Sequence, residues 1–206
     1  MFTLSTIYII KMGDLHYALS DKEMLKLLPD KTKIVTYDEL MHLNDIDEIL
    51  YPTGCCVILY FLKSSSGHWS ALHVTGDILN FFCSYGLLMD SSQFDNVSKE
   101  VMEAKNQTKK YLTQLIAKSR YKRISYNDEE LQAYGVATCG RYCVLRIWLR
   151  FLNDKDFDDF MRSKRNPDKF SIILTNKPLK ELKSKEDVNK YFENLKELVY
   201  GYYIAS

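Results

Sequence analysis

The sequence predicts an α+β fold in which one buried helix packs on a mixed, mostly antiparallel sheet. Residues 54–86 hold three apolar, β-type runs separated by short turns, which is the pattern of an antiparallel meander. Residues 140–152 follow a helical pattern that is apolar on most sides, as in a central helix, with a narrow polar stripe through Arg146, Arg150 and Asn153. Helices are predicted before and after these strands, an order typical of the α+β class.

The other elements are predicted from local signals. Ser20 followed by Glu23 is a capping box for a short helix that Pro29 ends, and Thr36 with Glu39 gives a similar signal for a second short helix. The strands are placed at 54–62, 68–74, 78–86 and 122–128, an edge strand or arm at 1–12, and further helices at 97–120 and 187–203.

Composition limits the classes of function. With 206 residues, 46% hydrophobic and 27% charged, the chain is long and apolar enough for one globular domain over 1–206, with core motifs at 54–152 and flanks 1–53 and 153–206 packed on them. A net charge of +1 argues against nucleic-acid or membrane binding over the whole surface. Five cysteines without a CxxC pair favour a reduced, intracellular protein, and no zinc-type cluster or bilayer-spanning segment is visible. We therefore expect no metal, no membrane association and a monomer.

Three features together indicate a cysteine hydrolase. Gly67-His68-Trp69 stands at the start of a predicted strand, and six residues separate Gln132 from Cys139, which opens the buried helix. A thiol nucleophile needs an imidazole that can take its proton, and donors that bind the oxyanion. The Gln132 amide and the backbone N–H of Cys139 are suitable donors. A helix N-terminus favours the thiolate form of Cys139, and Gly140 leaves room for a substrate backbone.

The motifs GHWSALHV, FFCSYG and LQAYGVATCGRYC resemble those of the adenain and SUMO/ubiquitin-like cysteine protease superfamily. In appearance they are most similar to maturation proteases of adenoviruses, large DNA viruses and virophage-like elements. The resemblance covers roughly residues 54–152 and implies the adenain-like fold, with the nucleophile on the central helix. It implies His68 as base, Gln132 as oxyanion donor and Cys139 as nucleophile. Trp69 would line a groove over the residues that precede the cleaved bond, beside Gly67 and Gly140.

The same resemblance implies an activity and a setting. The chain would cleave viral structural precursors, such as capsid proteins, after small residues such as Gly, through an acyl-thioester. It would act in the host cytoplasm or nucleus, be packaged in the virion, and need no cofactor, although a peptide or DNA activator is compatible with the family. Alternatives are a protease for SUMO- or ubiquitin-like modifiers, an acyltransferase, and an inactive binding module.

One position departs from the family pattern. The residue that orients the imidazole is Asp, Glu or Asn in the family, whereas this chain has Cys83 in FFCSYG, and a thiol is a weak acceptor. His68 could be held by Cys83 or a water in a catalytic dyad. Another group, Asp77, Asn80 or Asp90, could reach the ring instead. As a third alternative, the chain could be a weakened or inactive relative.

Other candidates have simpler interpretations. His73 lies five residues after His68, so the two side chains point to opposite faces of one strand, and His73 is predicted to be structural or to line a pocket. Cys143, one helical turn after Cys139, is predicted to be a core residue. The basic run 115–123 is interpreted as a solvated face, with contact to DNA or an acidic partner as the alternative.

Overall fold

A computed structural model describes residues 15–90, 97–176, 184, 186, 187 and 190. The predicted strand or arm at 1–12 lies outside these residues, as does nearly all of the predicted helix at 187–203. No helix within the described ranges is long and apolar enough to cross a membrane. The helices are α1 (Asp21–Leu27), α2 (Asp47–Leu50), α3 (Lys99–Ala104), α4 (Tyr111–Lys118), α5 (Cys139–Trp148), α6 (Asp154–Arg162) and α7 (Pro167–Thr175), with a 3₁₀ helix at Tyr37–His42.

Five strands form one mixed sheet in chain order. They are β1 (Lys33–Thr36), β2 (Cys55–Phe61), β3 (Gly67–Thr75), β4 (Ile78–Cys83) and β5 (Arg123–Tyr126). The predicted meander is confirmed, because β3 pairs antiparallel with both β2 and β4. The outer strands run parallel to their neighbours, so antiparallel pairing is confined to the three central strands.

Apolar side chains cover both faces of the sheet. On one face, α5 packs over β3 and β4, where Val144 and Ile147 share a cluster with Ala71 and Phe82. All ten residues of α5 are buried. On the other face, Leu72 and Phe81 pack in a second cluster with residues of α2 and α4.

Local capping signals correctly located the first elements. The Ser20 hydroxyl and the Glu23 carboxylate cap α1 reciprocally, as the sequence predicts. The Trp148 indole donates a hydrogen bond of 2.8 Å to the Leu27 carbonyl, which fastens the end of α1 to α5. Thr36 and Glu39 also form a capping box, but the turns that follow are 3₁₀ and not α.

The predicted continuous helix at 97–120 is wrong, because two short helices, α3 and α4, flank a break. Asn106 adopts a positive φ of 50° there. The next side chain, Gln107, is buried and accepts a hydrogen bond from the Phe61 backbone N–H at 2.8 Å. It also donates to the Phe61 carbonyl at 2.9 Å. The break therefore supplies the end of β2 with the two bonds that another strand would make.

The central helix ends earlier than predicted, at Trp148 and not at Leu152. Asn153 instead caps α6, since its side chain accepts a hydrogen bond of 2.8 Å from the Asp156 N–H. The predicted polar stripe is also wrong for Arg146, which is fully buried. Its guanidinium donates to Asp154 at 2.8 Å and lies over the Phe157 ring. The Arg146 guanidinium is thus stabilised by an ion pair with Asp154 of α6 and not by water.

Candidate active site

His68 and Cys83 meet at the edge of the β3–β4 pair. Cys83 is paired with Ser70 across the two strands, so His68, two residues from Ser70, projects on the same face as Cys83. Both side chains are buried, and the Cys83 Sγ lies 3.3 Å from the His68 Nε2. Of the residues considered as partners of the His68 ring, Cys83 is the one that lies against the imidazole.

The three polar groups proposed as substitutes for Cys83 contact other parts of the chain. Asp77 forms an exposed ion pair, Asn80 binds backbone carbonyls, and Asp90 is buried in a hydrogen-bond network with α4. Asp77 accepts from the Arg123 guanidinium at 3.2 Å, and Asn80 donates to the His73 carbonyl at 3.2 Å. Asp90 accepts from the Tyr37 hydroxyl at 2.8 Å.

Asn127 fixes the position of the Cys83 backbone. Its side-chain oxygen accepts from the Cys83 N–H at 2.9 Å, and its side-chain nitrogen donates to the Cys83 carbonyl at 2.7 Å. Asn127 is buried directly after β5, where regular pairing with β4 has ended. The side chain replaces the lost ladder bonds, so the thiol behind His68 is rigidly placed.

Tyr85 links the imidazole to the glutamine. Its ring stacks on His68 with centroids 4.8 Å apart and an interplanar angle of 27°. Its hydroxyl accepts a hydrogen bond of 3.1 Å from the Gln132 Nε2. Tyr85 lies in the motif FFCSYG, but the sequence alone assigned it no role. The available signal was an aromatic residue with a polar tip just after a strand that ends at the site.

The Gln132 amide is held by three hydrogen bonds. The Oε1 accepts from the Ser84 hydroxyl at 2.6 Å, and the Nε2 donates to the Tyr85 hydroxyl and, at 2.8 Å, to the Val136 carbonyl. Because a carbonyl can only accept, the contact with Val136 identifies the nitrogen end of the amide. Both N–H bonds of this amide are therefore engaged inside the protein.

Cys139 opens α5 and is buried, with 6% of its surface exposed. Burial raises the pKa of its thiol, and the backbone N–H groups of Trp69, Gly140 and Cys139 itself lower it to a smaller extent. The expectation that the helix N-terminus favours the thiolate is thus wrong in net direction, because desolvation outweighs the backbone dipoles. Burial also lowers the pKa of His68 to about 4. Burial thus disfavours the charged form of each of the two side chains.

A buried carboxylate anchors the loop that joins Gln132 to Cys139. Asp168, near the start of α7, accepts a hydrogen bond from the Ala133 backbone N–H at 3.0 Å and another from the Thr138 hydroxyl. These two residues directly follow Gln132 and directly precede Cys139. Asp168 therefore fixes both ends of the loop to one point on α7. Sequence reasoning missed it, because nothing local distinguishes this Asp from an ordinary first-turn acid.

Packing accounts for Gly67 and Gly140, two of the four glycines in the motifs. A Cβ on Gly67 would stand 2.3 Å from the Tyr60 carbonyl oxygen, which no side chain allows. A Cβ on Gly140 would stand 2.9 Å from the Met24 Sδ and 3.3 Å from the Trp69 Cδ1. The space expected to admit a substrate backbone at Gly140 is thus filled by core atoms on its Cβ side.

Trp69 borders an open groove on the surface. Its side chain is 9% exposed and belongs to the cluster beneath α5. The groove has a volume of about 640 Å³ and runs along β1 and the start of α1. Its walls include Ser20, Asp21, Leu25, Ile34 and Leu59. This is a location compatible with the predicted role of Trp69.

The remaining candidates lie apart from this cluster. Cys143 is fully buried in the core, as predicted, and all five thiols are free. In the basic run 115–123, Leu115 is buried, while Arg120 pairs with Asp47 at 2.9 Å. A DNA contact by this run stays a prediction. No cluster of three or more metal-ligating side chains occurs among the described residues.

Comparisons with known proteins identify one curated relative. No family model matches the chain. Uncharacterized protein V9 of Sputnik virophage is 35% identical over 166 residues, an alignment that covers 77% of this chain and 94% of the relative.

Among the solved structures that are similar are two with a TM-score of 0.36 each. One is the pS273R protease of ASFV, at 15% identity over 68% of this chain and 59% of that chain, so the chain spans less than two thirds of that protease. The other is ChlaDub1 from Chlamydia trachomatis, at 14% identity over 87% of each chain. A TM-score of 0.36 carries no functional conclusion, so an activity must be inferred from the site. By its 35% identity over almost the whole relative, the chain belongs to the same family as protein V9 of Sputnik virophage.

Proposed function

We propose that the chain is a cysteine peptidase with Cys139 as nucleophile and His68 as base. The observation that carries this proposal is the convergence of the motifs on one short segment. Residues 83–85 contact the His68 ring and hold the Gln132 amide. The Cys139 thiol lies close enough to the Trp69 N–H for that group to lower its pKa, and Trp69 directly follows His68.

We take the Cys83 sulfur as the acceptor of a hydrogen bond from His68, which gives the ring the tautomer that a base requires. A sulfur 3.3 Å from the Nε2 can accept a weak hydrogen bond from an Nε2–H. The lone pair of the neutral ring is then on Nδ1, the nitrogen free to take the Cys139 proton. The thiol is a weaker substitute for a carboxylate, because it adds no charge to stabilise the imidazolium.

The reaction proceeds in two halves. His68 removes the S–H proton as the sulfur of Cys139 attacks the peptide carbonyl carbon, and the carbonyl oxygen becomes an oxyanion. Collapse of this intermediate breaks the C–N bond, and the leaving amine takes the proton from the imidazolium. Water then attacks the acyl-thioester with His68 as base, which releases the acid and restores the thiol.

We also propose that the substrates are viral structural precursors cut after small residues such as Gly, inside the host cell or the assembling virion. The family relation to a virophage protein supports the viral setting. The groove beside Trp69 supports an extended substrate.

Peptides with Gly-Gly before a fluorogenic amide test the proposal. We expect Cys139→Ala to abolish turnover and Cys143→Ala, a matched change one helical turn away, to retain it per folded molecule. Melting temperatures establish that both variants are folded. Turnover by Cys139→Ala at the wild-type rate would refute the assignment. Cleavage of ubiquitin-like fusions in preference to peptides would favour the modifier-protease alternative.

A further inference from the structure

The hydrogen bonds of Gln132 raise a question about the oxyanion donor. Its two amide N–H bonds already point at the Tyr85 hydroxyl and the Val136 carbonyl. Its Oε1 is fixed by Ser84, so the amide cannot turn without breaking that bond of 2.6 Å as well. Donation from Gln132 to a substrate would therefore cost at least one internal bond.

The Tyr85 hydroxyl, by contrast, has a proton to give. A phenol has one donor and accepts through its oxygen, and here the oxygen accepts from the Gln132 Nε2. Within the described part of the chain, no acceptor for the Tyr85 hydroxyl proton is present. The side chain is partly exposed, and its ring is stacked on the imidazole of the proposed base.

We propose that Tyr85 is a catalytic residue that donates its hydroxyl proton to the oxyanion, with Gln132 as the positioning residue behind it. This inference rests on the proposed function. As the carbonyl oxygen gains charge, it accepts a hydrogen bond from Tyr85 and one from the backbone N–H of Cys139. The proton stays on Tyr85, so no bond breaks in this step. The N–H bond from Gln132 polarises the phenol and strengthens its donation.

The electrostatics of Tyr85 suit a donor. Burial, followed by the neighbouring sulfurs of Cys139 and Cys83, raises its pKa to about 12. The hydroxyl therefore keeps its proton through the neutral range. The stack with His68 holds the ring in place, and the bond from Gln132 sets the direction of the oxygen.

A peptide aldehyde separates oxyanion binding from thiol reactivity. Acetyl-glycyl-glycinal adds to a catalytic thiol to give a hemithioacetal, whose oxygen occupies the oxyanion position. Iodoacetamide alkylates the same sulfur without forming an oxyanion. We expect Tyr85→Phe to weaken aldehyde binding and slow peptide turnover by roughly 10²-fold, the scale of one lost oxyanion donor. Alkylation of Cys139 should stay within about twofold, because no donor to an oxyanion is involved.

The matched control is Tyr134→Phe, which removes a hydroxyl from a 96% exposed ring in the loop between Gln132 and Cys139. It should change neither measurement. Unchanged aldehyde binding in Tyr85→Phe would overturn the inference. Tighter binding would also overturn it, because it would mean that Tyr85 masks Gln132. A wild-type chain with no aldehyde adduct at Cys139 would overturn the proposed function itself.

The positioning role of Gln132 is tested by a double-mutant cycle. If Gln132 acts through Tyr85, Gln132→Ala combined with Tyr85→Phe should lose no more aldehyde affinity than Tyr85→Phe alone. Additive losses would show two independent donors and contradict the assignment. Should Tyr85→Phe fail to fold, the ¹³Cζ resonance of Tyr85 in the wild type must shift when the aldehyde adduct forms. An unchanged resonance would overturn the inference without any variant.

Discussion

His68 and His73 lie on the same strand, are both buried, and differ in their neighbours. The Nε2 of His68 faces the Cys83 thiol, and its ring stacks on Tyr85. The Nδ1 of His73 is 3.3 Å from the Thr75 hydroxyl. Burial lowers the pKa of both rings, and the charges of nearby Arg146 and Arg150 lower that of His73 further.

The neighbours of the two rings show what a general base requires besides burial. A ring that accepts a proton becomes a cation, and two guanidinium groups near His73 oppose that change. For His68, burial is the cause of the lowered pKa, and the thiolate formed in the same step would balance the new charge. In the proposed reaction His68 is the base for Cys139, whereas His73 is buried on the face that α5 covers and has no part in that reaction.

Replacing each histidine by alanine should give opposite results. We expect His68→Ala to lower kcat/KM by about 10²–10⁴-fold, the usual worth of a general base, with the chain still folded. His73→Ala should lower the melting temperature, because it leaves a cavity in the core, and keep the rate per folded molecule. Peptide turnover and thermal melts measure both effects. Equal losses of rate would erase the distinction between the two sites.

The ion pair beside His73 should affect stability and not chemistry. Asp154→Ala leaves the buried Arg146 guanidinium without its carboxylate at 2.8 Å. We expect a loss of about 3 kcal/mol in the free energy of unfolding, as for other broken buried pairs. Urea titration measures it, with Asp159→Ala as control, because its solvent-exposed pair with Lys155 should contribute little to stability. A changed kcat in folded Asp154→Ala would show that the surroundings of His73 and His68 are coupled, and would contradict their independence.

Cys83 offers the smallest expected change on the His68 side. Cys83→Ala should lose less than about tenfold in rate, since a thiol is a weak hydrogen-bonding partner. Cys83→Asp should be at least as active, because a carboxylate stabilises imidazolium and raises the pKa of His68. The acid limb of its pH–rate profile should move upward accordingly. A large loss in Cys83→Ala together with an inactive Cys83→Asp would show that the sulfur itself is needed.

Local signals predicted those parts of the fold that local interactions determine. The capping box of α1, the turns between β2, β3 and β4, and the placement of Cys139 at a helix start all depend on neighbours in sequence. The motifs also named His68 and Gln132, which the structure joins through residues 83–85.

What the sequence did not reveal depends on partners far along the chain. Strand β1 is defined by its parallel pairing with β2, and the helix break by the contact of Gln107 with Phe61. The net pKa direction of Cys139 depends on burial, which only the packed core determines. The proposed role of Tyr85 could not be predicted, because it depends on the hydrogen bonds that occupy both N–H groups of Gln132 in the folded chain.

The rate of Cys139 alkylation as a function of pH, in the wild type and in His68→Ala, tests the central claim most directly. Burial lowers the pKa of His68 to about 4. The ring is therefore neutral and able to take a proton above that pH, and it loses this ability as the pH falls through about 4. The predicted result is faster alkylation in the wild type across pH 5–8, by roughly tenfold or more. This advantage should vanish below about pH 4. Coincident profiles for the two proteins over the whole range would contradict the pairing of His68 with Cys139.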